Sequence, residues 1–450
     1  MLKKLQFIIL LLIATAPVFA QKVLTAETPE QKTQRMAWWQ NDRFGMFIHW
    51  GLYALPARHE WVKSAEKITN AKYEIYFDTF NPDLYNPKFW AQRAKAAGMK
   101  YAVLTTKHHE GFCLFDSKFT DYKATNTAAK RDLVKEYVDA FRAQGIKIGF
   151  YYSLLDWHHP DYTIDEYHPQ SPKDKSDTAY ARLNKGRDMV KYRLYLRNQV
   201  TELLTKYGKI DILWLDFSFP RADGHGKGKD DWGSVELLKL IKKLQPGIIV
   251  DNRLDLAGYA GGEDFETPEQ VSTDELLKFR GKTWETCQTF SGSWGYHRDE
   301  NSWKSPKQLL DLLITATANG GNLILNVGPT ARGEFDFRAN NRLDSLSYWM
   351  HANSKSIYGC TYAPSEFKAP ENTRLTYNAK AKRLYVHLFK YDGGEYKLPG
   401  FRSKVKYAQF LHDNSELVIN TEKSTADDLV INLPKDKPRY EVPVIELILK

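Results

Sequence analysis

The stretch KIDILWLDFSFP, residues 209–220, decides how the whole chain is read. Its centre, ILWL (212–215), has the length and apolar content of a strand covered on both faces, and such strands belong to parallel sheets flanked by helices. It then delivers a carboxylate, Asp216, two residues after Trp214 and at the point where the strand runs out. Six further runs of this kind occur: GMFIHWG (45–51), YAVLTTK (101–107), KIGFYYS (147–153), GIIVDNR (247–253), KTWETC (282–287) and NLILNVGP (322–329). Between them lie helical segments such as NPKFWAQRAKAAG, RDLVKEYVDAFRAQG and SVELLKLIKKLQPG, several of which stop at glycine. The alternation predicts parallel pairing, and this many units predict an irregular, TIM-like (β/α) barrel of seven or eight strands. An open doubly wound sheet is the competing arrangement, but no GxGxxG follows the first strand.

The texture changes at both ends. Lys3 and Lys4 precede an apolar run at 7–13, and Val18 and Ala20 form a small-residue cleavage pattern. This predicts a secretory signal peptide over 1–20, cleaved near Ala20, with export to the periplasm or the medium. The run is too short to span a bilayer, and no cysteine follows it to carry a lipid. The barrel is assigned to 21–353. From 354 to 450, short alternating runs such as RLTYNAKAKRLYVHLFKY and VPVIELILK predict an antiparallel β-sandwich.

The formal charge of +9 is spread along the chain and is not gathered into basic blocks interleaved with aromatics, which argues against nucleic-acid binding. Cys113, Cys287 and Cys360 cannot all pair and lack metal-ligand spacing, so disulfides do not hold this fold. Aromatic residues make up 14% of the chain, enough for a core and for a stacking surface besides.

In a barrel of this type the reactive groups stand where strands end. Here the strands end in His49-Trp50, Lys107-His108-His109-Glu110, Tyr151-Tyr152, Trp214 with Asp216, Asp251 with Arg253, and Trp284-Glu285. Two carboxylates flanking an acetal bond hydrolyse it, one attacking the anomeric carbon and the other protonating the leaving oxygen. Asp216 suits the first role; a helix N-cap is its structural alternative. Candidates for the partner are Glu263, Asp264, Glu266 and Glu269 in GGEDFETPEQ, and Glu285 in TWETC.

The motifs MFIHWGLYALPARHEWV, TTKHHEGFCLFDS, GFYYSLLDW, LWLDF, DNR, DFETPEQ, WETCQTFSGSWGYHR and NGGNLILNVGPTARGEF, in this order from about residue 43 to 335, resemble the alpha-L-fucosidases of glycoside hydrolase family 29. The resemblance implies a retaining exo-hydrolase that removes terminal alpha-L-fucose from glycans, without a cofactor or a metal, on a barrel followed by a β-sandwich. It implies Asp216 as nucleophile, through a covalent fucosyl-enzyme intermediate. It implies His49, His108, His109, Tyr152, Trp214 and Arg253 around the fucose ring and hydroxyls, Glu60 and Trp61 on a loop closing over the sugar, and Trp294 lining the pocket. The acid/base sits on a loop of variable length in that family. Glu269 of TPE is its first match, with Glu266 and Glu285 as alternatives.

Two other classes compete. Pairs such as His108-His109 and His158-His159 raise a metal-dependent hydrolase, but neighbours on a strand point to opposite faces and no HxH or HExxH occurs. A silent carbohydrate-binding protein would not need the matched aspartate and its surrounding acids. The linkage preference and the oligomeric state are not encoded in these motifs. The polar stretch at 158–188 is the candidate wall for the remainder of the glycan, with a solvated loop as the alternative.

Overall fold

The computed structural model describes residues 27–259 and 261–450; the expected signal peptide lies outside the described residues. Seven strands form one parallel sheet: β1 (Phe44–Ile48), β2 (Tyr101–Lys107), β3 (Lys147–Ser153), β4 (Ile212–Asp216), β5 (Ile249–Val250), β6 (Glu285–Thr289) and β7 (Asn322–Val327). Their order is β5-β4-β3-β2-β1-β7-β6. β5 and β6, at the two edges, do not pair directly. The segment 264–269 lies between them, making parallel bridges from Phe265 to Asp251 on one side and from Glu266 to Trp284 and Glu269 to Cys287 on the other. An irregular eighth stave thus closes the barrel.

The two-residue period of each strand sorts side chains between two cores. Phe47, Val103, Tyr151, Ile212, Trp214, Phe265, Cys287 and Ile324 pack inside the barrel, together with Met36 and Trp39 of helix Pro29–Asp42. Ile48, Leu104, Phe150, Leu213, Leu215 and Leu325 point outward and join the apolar faces of the surrounding helices in a larger core. Those helices are capped as their sequences require. Ser305 caps Pro306–Ala318 in a reciprocal pair with Gln308, and Asp132 accepts from the Lys135 amide at the start of Leu133–Ala143. Gly98 (φ 84°) and Gly145 (φ 74°) take the left-handed turns that send two helices into β2 and β3.

After helix Phe337–Asn353 the strands turn antiparallel. β8 (Thr361–Tyr362), β9 (Thr373–Asn378), β10 (Arg383–Leu388), β12 (Val405–Phe410) and β14 (Val444–Leu449) form one sheet, while β11 (Gly394–Leu398) pairs with β13 (Leu429–Leu433) in a second. Leu384, Val386, Leu398, Val405, Leu429, Ile431 and Leu447 from both sheets share one apolar core. All three cysteines are free and buried.

Candidate active site

The period that fills the barrel also builds the site at its C-terminal mouth. Phe47 and Trp214 are the last apolar inward residues of β1 and β4, and the next inward positions are His49 and Asp216. The acid two residues after a tryptophan is therefore the next side chain on the inner face. Around it, Phe47, His49, Glu60, Trp61, His108, His109, Tyr151, Trp214, Asp216, Phe217, Arg253, Glu269, Cys287 and Trp294 line a cleft with about 370 Å³ of empty space. A roomier groove, with about 1800 Å³ of empty space, lies on the outer helices by Arg193 and Arg197 and contains none of these groups.

Asp216 is bound by side chains, not by backbone amides. Tyr151 donates its hydroxyl to Oδ2 at 2.7 Å, and Arg253 Nη1 donates to Oδ1 at 3.0 Å. Burial pushes the Asp216 carboxyl above its usual range, against the pull of Arg253. Burial, reinforced by Asp216, holds the Tyr151 phenol far above its ordinary value, so it stays a donor. Burial alone would lower Arg253, but the carboxylates around it keep it charged. Its guanidinium also stacks 4.8 Å above the Trp214 ring.

Arg253 grips a second carboxylate. Nη2 donates to Glu269 Oε2 at 2.7 Å, and Nε donates to Thr267 Oγ1 at 3.0 Å. Phe265, Thr267 and Glu269 occupy alternate positions on the closing stave and face the interior side. Glu266, one position out of phase, turns away and pairs with Lys282 at 3.0 Å. Glu269 therefore reaches the cleft and Glu266 does not. Asp216 and Glu269 are each followed by a residue in left-handed conformation, Phe217 (φ 84°) and Gln270 (φ 52°). For a phenylalanine this is strained backbone, a feature that clusters at functional sites.

Three expectations are corrected. Tyr152 lies outside the cleft: on β3 it faces the helices, where its hydroxyl donates to Gln199 Oε1 at 2.7 Å, and Tyr151 holds the inward position. Glu285 opens β6 and does not close it. Its register partner is Asn322, the first residue of β7, so it sits at the opposite end of the strand from the cleft. There Tyr101 donates to it, and burial pushes its carboxyl up to about 8. A protonated carboxyl alone does not make a general acid; it must reach the leaving oxygen, and Glu285 does not. Finally, His108 and His109 do not face apart. β2 ends at Lys107, so strand alternation no longer applies, and both rings line the cleft with centroids 4.0 Å apart.

Asp264 and Glu263 are structural. Burial favours the protonated form of Asp264, but Arg35 at 2.7 Å and Lys242 at 2.8 Å hold it down to about 2. Glu263 accepts from the Leu256 amide at 3.2 Å. Asp251 accepts from the Leu215 amide at 3.1 Å. Among the described residues no group of three or more His, Cys, Asp or Glu side chains is arranged to hold a metal.

The rim is aromatic and clamped. Glu60 accepts from the backbone amides of Trp294 (3.2 Å) and Gly295 (2.8 Å), tying the two cleft-lining loops together. Trp61 meets His109, Trp157, Tyr167 and Phe217 at 5.0–5.7 Å, mostly edge to face. Tyr167 belongs to the long polar stretch at 158–188, which therefore borders the mouth of the cleft. Phe47, Phe217 and Cys287 line the cleft without any signal in the sequence motifs, and Tyr151, one of the strand-end pair Tyr151-Tyr152, is singled out only by the fold. The side that Tyr151 and Cys287 face depends on strand register, which one sequence does not supply, and Phe217 enters the cleft through its left-handed backbone beyond the end of β4.

The family model for alpha-L-fucosidase matches residues 11–355. Alpha-L-fucosidase isoenzyme 1 from Paenibacillus thiaminolyticus superposes with a TM-score of 0.83 at 44% identity, covering 93% of this chain and 99% of that one. An alpha-L-fucosidase of family GH29 from Bacteroides thetaiotaomicron, trapped as a covalent intermediate with 2-fluoro-fucosyl fluoride in a glutamate-to-glutamine mutant, superposes at 0.78 with 29% identity over 93% of this chain and 96% of that one. Human plasma alpha-L-fucosidase is 29% identical over 385 residues, 80% of this chain and 77% of that protein. The chain belongs to the alpha-L-fucosidases, family 29 of the glycoside hydrolases.

Proposed function

We propose that this enzyme is a retaining, exo-acting alpha-L-fucosidase that removes terminal alpha-L-fucose from fucosylated glycans, with Asp216 as nucleophile and Glu269 as acid/base. The observation that carries the reading is Arg253, which holds one oxygen of each carboxylate inside a cleft of histidines and aromatic rings. In the first step an Asp216 oxygen bonds to C1, the C1–aglycone bond breaks, and the leaving oxygen takes the proton of Glu269. In the second, Glu269 takes a proton from water, the water oxygen bonds to C1, and Asp216 leaves. Two inversions return the original configuration. Fucose is a 6-deoxy sugar, and the cleft offers hydroxyl-binding groups in His49, His108, His109 and Glu60 and an apolar side in Phe47, Trp214, Phe217 and Trp294. The N-terminal pattern at 1–20 supports export. No helix among the described residues is long and apolar enough to cross a membrane.

The test is stereochemical. Hydrolysis of an aryl α-L-fucoside, followed by proton NMR from the first minutes, is expected to release α-fucose first and the β-anomer only by mutarotation. Initial β-fucose would contradict retention. Glu269→Ala is expected to lose about 10²–10⁴-fold on substrates with poor leaving groups. Added azide should then yield α-fucosyl azide, while Glu266→Ala stays near wild type. An azide product from Glu266→Ala or Glu285→Ala in its place would reassign the acid/base.

A further inference from the structure

We infer that Ser153 and Asn326, neither of which lines the cleft, are positioning residues that fix the tautomers of His109 and His49, so that both rings meet the sugar as hydrogen-bond acceptors. Both lie on the inner face of their strands, Ser153 two residues after Tyr151 and Asn326 two after Ile324. His109 Nδ1 stands 2.7 Å from Ser153 Oγ, and that hydroxyl donates its only proton to the Leu155 carbonyl at 2.8 Å. Ser153 can therefore only accept from the ring, which places the imidazole proton on Nδ1. At the second site Asn326 Nδ2 donates to the Trp294 carbonyl at 2.7 Å, which fixes the amide with Oδ1 facing His49 Nδ1 at 2.6 Å. Here too the ring is the donor.

Burial, with His108 nearby, keeps both imidazoles well below their ordinary range, so they are neutral and each Nε2 carries a bare lone pair. His109 Nε2 lies 3.9 Å from Asp216 Oδ2, two acceptors with no proton between them. A sugar hydroxyl beside the anomeric carbon supplies the missing donor. His108 lacks this arrangement: its Nδ1 is 3.5 Å from Glu110 Oε2 and makes no hydrogen bond.

The inference rests on the reading of this cleft as the fucose site, and its test separates the two. Histidine-¹⁵N-labelled enzyme is examined without substrate by long-range ¹H–¹⁵N correlation at pH 7, with His49 and His109 assigned from His49→Gln and His109→Gln. Both are expected as neutral Nδ1–H tautomers. Ser153→Ala should move only His109 toward a tautomer mixture, and Asn326→Ala only His49, each with kcat/KM lower by about 10–100-fold, the usual scale for losing a partner that orients a ligating group. An Nε2–H tautomer or an imidazolium at either position in the wild type, or loss of activity in these variants with the tautomer unchanged, overturns the inference. The wild-type spectrum stands whether or not fucosides are hydrolysed, so either idea can fail alone.

Discussion

Asp216→Gly is expected to lower kcat/KM for aryl α-L-fucosides by about 10⁴–10⁶-fold, equivalent to about 5–8 kcal/mol of transition-state stabilisation. The aspartate closes β4 on a rigid stave, with Tyr151 and Arg253 aiming its oxygens, so no neighbour can move into its place. Its removal leaves Arg253 still paired with Glu269, which keeps the cleft assembled. Glycine opens space for a small anion. Azide should attack C1 from the vacated side while Glu269 still protonates the leaving group, and this single displacement gives β-fucosyl azide. The opposite anomer is expected from Glu269→Ala, so the pair of products distinguishes the two roles. If Asp216 merely capped the following loop, the loss would track a lower melting temperature and azide would restore nothing.

Glu285→Gln is expected to change stability by an amount that depends on pH. In the folded chain the carboxyl is raised to about 8 by burial, against an ordinary value of 4.5. A raised acid favours the protonated form in the fold, so its contribution is fully present below pH 4.5 and is lost as pH rises toward 8. At about 1.4 kcal/mol per pH unit, the loss across that window is about 5 kcal/mol. Glutamine keeps the shape and can still accept from Tyr101, but does not titrate. Urea melts of wild type and variant should diverge in favour of the variant between pH 4.5 and pH 8. A difference that stays flat across this range would mean that Glu285 is ionised in the fold.

Much of this architecture is legible in the sequence because one periodicity does several jobs. ILWLD announces a buried strand, an inward tryptophan and an inward acid at once, and MFIH repeats the pattern with His49 in place of Asp216. Two adjacent aromatics defeat the same logic. Tyr151 and Tyr152 are equally apolar, and only pairing with β4 decides which one faces the cleft. KTWETC reads as a strand ending near 287, which puts Glu285 close to the cleft, whereas the pairing with β7 starts at 285 and runs to Thr289. His108 and His109 follow the last paired residue of β2, where the turn and not the pleat sets direction. The stave at 264–269 has no strand signal at all. Proline, threonine and three acids hide it, and its alternation of Glu266 outward and Glu269 inward exists only because β5 and β6 hold it by single bridges. Asn326 and Ser153 look like ordinary strand residues until their partners are known.

The proposed mechanism requires Asp216 to become covalently bonded to the sugar. Incubation of the full-length enzyme with 2-fluoro-fucosyl fluoride, followed by proteolysis and mass spectrometry, tests it directly. One 2-fluoro-fucosyl ester is expected, carried by the peptide containing Asp216 and absent from Asp216→Gly. An ester on Glu269 or on another residue would contradict it, as would turnover of the reagent with the initial release of a β-configured product.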